Sequence, residues 1–208
     1  MKFKEILNRL KGEKKFILGK DTKDKVYCSE NKFSTAEKAS TEFNRSVEKL
    51  FNVNQWSQMP GISSGFSLYN SHGKKKDAAK PEIRDFIKID LPGPAPEVWV
   101  VVIGVQEEEK LAEFTVSPSV NPTNKDEDKV EHFFIDEATS TFRVELLDKT
   151  IKACEVGKNE GINKADKDEN IRKLINIVMA EGGWAGFQKF QWNKLTEFIV
   201  HKVELGND

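Results

Sequence analysis

The chain has 208 residues, with 33 basic and 34 acidic side chains that leave a formal net charge of -1 at pH 7. Such a balance gives no global field to draw the protein to nucleic acid or an anionic membrane, so neither is an expected partner. Fourteen Phe and four Trp are enough for a packed core, which argues against disorder and suits one core with extensions.

The longest uniformly apolar stretch, Val98 to Val105, is far shorter than a spanning helix needs. Met1 to Gly12 lacks the apolar centre of a signal peptide. Together these predict a cytoplasmic protein with no transmembrane segment. Cys28 and Cys154 have neither CxxC spacing nor a neighbouring His pattern, so two reduced, buried thiols are expected, with a disulfide the minor alternative.

In chain order, Phe3, Ile6, Leu7 and Leu10 are spaced as one helical face ahead of Gly12, predicting a short amphipathic helix over Lys2–Lys11. So few apolar residues fit packing on the domain better than a membrane anchor. Lys25–Ser29 is β-prone. Ser34, with Glu37 three residues on, reads as a capping box opening a helix to Phe51. Its apolar face of Ala36, Ala39, Phe43, Val47, Leu50 and Phe51 continues into a short turn over Asn54–Met59.

From Gly65 the period changes. GFSLYN, PEIRDFIKIDL, EVWVVVIGV, KLAEFTVS, STFRVELL and TIKACEVG are alternating or β-rich and bounded by turn residues. Short connections favour an antiparallel meander, with hairpin tips at Glu107–Glu109 and Asp148-Lys149 and surface loops over Ser71–Lys80 and Ser117–Lys129. Val98–Val105, apolar on both faces, is expected to be central.

A helical pattern returns over Asp168–His201, roughly 50 Å long at about 1.5 Å per residue if unbroken. Its apolar stripe changes sides near Gly182-Gly183, from Ile171, Leu174, Ile175 and Val178 to Trp184, Phe187, Leu195, Phe198 and Ile199. A bent but continuous helix is expected, with the small residues Gly182, Ala185 and Gly186 beneath the bend.

The order strand (Lys25–Ser29), helix pair (Ser34–Met59), antiparallel run (Gly65–Gly157) and terminal helix (Asp168–His201) resembles the START-like, helix-grip superfamily. That superfamily includes lipid-transfer START domains, pollen-allergen-like proteins and polyketide aromatases and cyclases. The resemblance is one of element order over residues 25–201, and no binding or catalytic residue is carried across by position. The glycine-rich loop of the pollen-allergen branch is missing, since Asn54–Ser64 holds only Gly61. With the N-terminal helix and the Ser117–Lys129 loop as additions, a separate branch is implied.

The fold implied is α+β, a curved antiparallel sheet of about seven strands wrapped around a long C-terminal helix, with an extra N-terminal helix. Residues 1–208 form one domain on this reading, 1–24 as an extension and 25–201 as the helix-grip core. Also implied is a cavity between sheet and helix for an apolar or amphipathic small molecule such as a lipid, with no cofactor.

Inward strand positions would line it, with Phe86, Trp99, Val101, Ile103, Phe114, Phe142 and Val144 as candidates and Met179, Gly182 and Gly186 from the helix. Each could equally fill a core. Arg143 joins the ligand-binding candidates because an inward guanidinium, there or at Arg84, would pair a ligand carboxylate. His132 is the single candidate acid or base, weighed against a structural histidine. His72, His132 and His201 lack metal-ligand spacing, and no GxSxG, P-loop, GxGxxG or HExxH pattern occurs. A small-molecule binding protein is therefore expected first. The alternatives are a cyclase- or hydrolase-like enzyme relying on His132 or Arg143, and an interaction module with a filled core.

Overall fold

The computed structural model describes residues 23–92, 98–123, 138–160 and 184–206, and the side chains of 23, 159, 160 and 184–188 fall outside that description. The expected N-terminal helix, residues 124–137 with His132, and residues 161–183 with Met179 and Gly182-Gly183 lie outside the described residues. So do the surroundings of Trp184, Gly186 and Phe187.

The first strand, β1 (Lys23–Lys32), runs into α1 (Ala36–Phe51) and a 3-10 helix (Val53–Gln58). The cap of α1 is Thr35, one residue after the expected Ser34. Its extended backbone lets the side-chain hydroxyl accept from Lys38 N at 3.1 Å, the N3 amide. Glu37 thereby moves to N2, so no reciprocal capping box forms, although its charge still faces the positive end of the helix dipole.

Six strands follow: β2 (Gly65–Tyr69), β3 (Phe86–Asp90), β4 (Val98–Glu108), β5 (Leu111–Ser119), β6 (Thr139–Leu147) and β7 (Thr150–Glu160). They pair antiparallel in the order β1-β7-β6-β5-β4-β3-β2, so the first strand closes on the last. The chain turns between β4 and β5 at Glu109-Lys110 and between β6 and β7 at Asp148-Lys149, where Asp148 takes the left-handed conformation at φ 55. A register shift between Val102 and Gly104 bulges β4 against β5, the device by which a sheet bends. The final helix, α2 (Trp184–Ile199), lies against β1 and β7 on the same face as α1. The fold class is thus a curved seven-stranded antiparallel sheet gripping a C-terminal helix.

Alternation places one residue in two on the helix side. Phe66 and Leu68, Ile87, Val100 and Val102, Ala112, Phe114 and Val116, Phe142 and Val144, then Ile151 and Ala153 meet Phe43, Leu50 and Phe51 of α1 and Leu195, Phe198 and Ile199 of α2. Each large side chain removed from water there contributes roughly 1.5–3 kcal/mol.

The first and last strands also bring Cys28 opposite Cys154, and the two form a disulfide with S–S 2.03 Å and Cα atoms 4.2 Å apart. This corrects the expectation of two free thiols. Local spacing carried no sign of the bridge because sheet closure, across 126 residues of sequence, creates the proximity.

A buried polar cluster fastens the C-terminal ends of α1 and α2. Lys49 Nζ donates to Phe198 O at 3.0 Å and to Glu204 Oε2 at 2.8 Å, and lies 2.9 Å from His201 Nδ1. Three acceptors match the three donors of an ammonium, so Lys49 is a structural lysine. His201 N donates to Phe198 O and Lys202 N to Glu197 O, a Schellman closure in which His201, at φ 63, takes the place usual for glycine. The ring holds it there, with Nε2 2.9 Å from both Glu42 O and Ser46 Oγ.

Burial, reinforced by the Lys49 and Arg45 charges against the pull of Glu42, holds the His201 imidazole below the usual histidine range. Glu204 also faces the ring, at 3.4 Å. A proton at Nδ1 would remove the acceptor that Lys49 uses. Because the folded-state pKa lies below the free value of about 6.5, the unfolded chain takes up the proton more readily. The stabilising contribution of neutral His201 is complete above that pH and is lost as pH falls through the folded pKa. The urea midpoint should be lower at pH 5.5 than at pH 7.5. His201→Asn, which tolerates the left-handed backbone, should flatten that difference.

Candidate functional site

The inner face is unevenly filled. Towards one end Leu50, Val53, Leu68, Val102, Ala112, Val144, Ile151 and Leu195 pack without exposure beyond 1%. At the other, where β3 ends and β4 and β6 begin, a cavity of about 70 Å³ opens between the sheet and α2. Alternation delivers its sheet wall: Phe66, Ile87 and Ile89, Val98 and Val100, Val116 and Phe142 all project to the helix side. Trp56 of the 3-10 helix and Trp192 of α2 complete the aromatic lining.

Trp56 is fixed by the hydrogen bond from its Nε1 to Lys49 O at 3.0 Å and by ring contacts with Phe142 at 5.1 Å and Phe66 at 5.5 Å. Trp192 meets Phe142 edge-on at 5.3 Å. Polar groups in the lining come from Ser64, Ser117, Thr139, Ser140, Gln191 and the Trp192 indole N–H. With roughly 10–15 Å³ per water-sized position, the space takes a molecule of about five heavy atoms, well short of an acyl chain.

Of the expected cavity residues, Phe142 lines the space. Phe114, 0% exposed, is core beneath it, stacked on Phe142 at 5.1 Å, and Val144 is likewise core. Trp99, Val101 and Ile103 are not inward. Val98, Val100 and Val102 take the helix side of β4, leaving Trp99 against Tyr69 on the outer face and Ile103 exposed in the bulge. A strand apolar on both faces gives period-two reading no purchase, and the indole of Trp99 tips the choice the wrong way. Phe86 shares that outer face, since Ile87 and Ile89 take the inner one.

Arg143 is also outward, between Glu113 on β5 and Cys154 on β7, and ion-paired to Glu113. At 6% exposure it is buried, yet it cannot anchor a carboxylate in the cavity. Arg84 precedes β3 in a left-handed turn at φ 76 and donates its amide to Val102 O.

Three inner-face residues escaped the sequence reading. Glu155, fully buried opposite Phe142, stands in phase with Ile151 and Ala153, and that break in an apolar alternation is its signal. Gln191, 2% exposed, lies one turn before Leu195 on the buried stripe of α2, with Trp192 beside it. Among the described residues no group of His, Cys, Asp or Glu is placed to hold a metal ion, and no helix is long and apolar enough to cross a membrane.

Fold and site together define a helix-grip α+β protein with a small apolar cavity under its C-terminal helix. No protein-family model matches the sequence, and no curated protein does. Among solved structures, a hypothetical protein from Helicobacter pylori aligns over 88% of this chain and 91% of its own, with a TM-score of 0.52 at 16% identity. Norcoclaurine synthase from Thalictrum flavum, solved with dopamine and hydroxybenzaldehyde, aligns over 89% and 95% with a TM-score of 0.39 at 12% identity. A major latex-like protein from Panax ginseng aligns over 76% and 93%, with a TM-score of 0.38 at 9% identity. The Helicobacter likeness bears on the fold alone.

Proposed function

We propose that this protein binds an apolar or amphipathic small molecule in the cavity between the outer ends of β3–β6 and α2. The observation that carries this reading is the lining: apolar side chains from five strands, the 3-10 helix and α2 converge on an unfilled space beside the packed cluster of the described residues. Interiors normally close such space, because lining atoms without neighbours forfeit dispersion contacts. The occupant favoured by its size is a short molecule, or one end of a longer one, in place of the whole lipid that the element order suggests.

The enzyme reading loses Arg143, which faces away from the cavity, and its other residue, His132, lies outside the described residues. The Cys28–Cys154 bridge favours an oxidising compartment over the cytoplasm, because glutathione and thioredoxin keep cytosolic thiols reduced. Titration with n-pentane, followed by backbone and indole NMR shifts, tests the cavity: saturable shifts centred on Trp56, Val100, Phe142 and Trp192 are expected, and shifts that never saturate would refute it.

A further inference from the structure

The cavity carries two polar groups that a purely apolar occupant leaves idle. Gln191 and Trp192 are neighbours on α2 and both line it. Gln191 Nε2 donates to Ser63 Oγ at 3.0 Å, while its Oε1 is buried with no hydrogen-bond partner among the described residues. Trp192 Nε1 is buried and unpartnered in the same sense. Buried donors and acceptors are normally satisfied, and leaving one unmade destabilises the fold. Neither position requires a polar side chain for packing: Gln191 lies one turn from Leu195 on the stripe where Leu195 and Phe198 are fully apolar.

The geometry points to a ligand whose buried end is a neutral hydroxyl, read by Gln191 and Trp192; this rests on the cavity being a binding site, as proposed above. As placed, the pair presents one acceptor and one donor. With the Gln191 amide turned over, Oε1 would take the Ser63 hydroxyl proton and the amide nitrogen would become the unmet group, leaving two donors. A hydroxyl answers either arrangement, since it donates once and accepts twice. A hydrocarbon answers neither. A carboxylate answers only the second and would carry a charge into a space walled by Phe66, Ile87, Val100 and Phe142, with no cationic side chain among the described lining residues. The class assigned is therefore a short alcohol, or the hydroxyl terminus of a longer apolar molecule.

The test compares 1-butanol with n-pentane, equal in heavy-atom count and differing in a hydroxyl for a methyl, by NMR titration of the whole chain. An apolar hole prefers the hydrocarbon, because the hydroxyl must leave water without recompense. The wild type is expected to bind 1-butanol at least as tightly as n-pentane. Gln191→Met and Trp192→Phe, each close in shape to the residue replaced and each checked by thermal melting, should move the preference towards n-pentane by about tenfold or more. Each variant's own n-pentane affinity is the reference against which its 1-butanol affinity is read.

Saturable n-pentane binding with weaker 1-butanol binding in the wild type overturns the hydroxyl assignment and leaves the cavity reading standing. A 1-butanol preference retained in both variants overturns the roles given to Gln191 and Trp192. Saturable binding of neither probe removes the cavity reading, and the inference with it.

Discussion

Reducing the Cys28–Cys154 bridge is expected to lower the unfolding free energy by roughly 4 kcal/mol. The bridge ties together the first and last strands of the sheet across 126 residues of sequence, so in the unfolded chain it closes a very long loop. Loop-closure arguments give about 4.7 kcal/mol for a 100-residue loop, with measured values commonly lower. For a chain of this size that corresponds to a fall in Tm of roughly 10 °C. Melting with and without reductant, alongside Cys28→Ser/Cys154→Ser, checks it. The double variant should match the reduced protein and lose its response to reductant. Equal melting temperatures in both conditions would mean that β1 is held to β7 by the ladder and by its contacts with α2 alone. Those contacts are substantial: Ser29 Oγ meets Thr196 Oγ1 at 3.0 Å, and Asn31 Nδ2 donates to Val200 O at 2.9 Å.

The second large effect belongs to Trp56. It is 1% exposed, its ring contacts Phe66, Phe114 and Phe142, and its indole satisfies the Lys49 carbonyl where α1 runs into the 3-10 helix. Trp56→Ala should cost about 4 kcal/mol, since Trp-to-Ala truncation in cores removes 3–5 kcal/mol and the site is propped open by a sheet on one side. Trp56→Phe retains most of the packing and gives up the hydrogen bond, for a smaller loss of about 1–2 kcal/mol. Urea denaturation of the two variants separates packing from hydrogen bonding. If Trp56→Phe costs as much as Trp56→Ala, the Lys49 carbonyl contact rather than ring packing holds this corner.

Legibility in the sequence follows how local the determinant is. The strands, the helix after β1, the 3-10 turn and the hairpin tip at Asp148-Lys149 are set by period, propensity and turn chemistry within a few residues and are readable, while the tip expected over Glu107–Glu109 lies slightly later, at Glu109-Lys110, because β4 runs on to Glu108. The cap of α1 slipped from Ser34 to Thr35 because two adjacent hydroxyl residues offer the same signal. What was not readable depends on partners distant in sequence. The Cys28–Cys154 bridge needs β1 to lie on β7. The face of β4 is decided by what covers each side, so a strand with Val98, Val100 and Val102 on one face and Trp99, Val101 and Ile103 on the other reads the same either way up. Arg143 looked informative as a charge within a strand, and its answer is Glu113, directly across the β5–β6 ladder. Gln191 is hidden because the signal of α2 in the sequence is its apolar stripe, and a polar residue on a stripe looks like noise until the rest of the stripe proves buried.

The central claim is that the space beneath α2 is a binding site rather than a gap in packing. Comparing n-pentane titrations of the wild type and Val116→Phe tests it most directly. Val116 is 4% exposed and lines the cavity, so an added ring has that space to enter. The account predicts saturable binding in the wild type, with shifts at Trp56, Phe142 and Trp192, and none in a folded Val116→Phe variant. Unsaturable shifts in the wild type, or undiminished binding once the ring occupies the space, would contradict it.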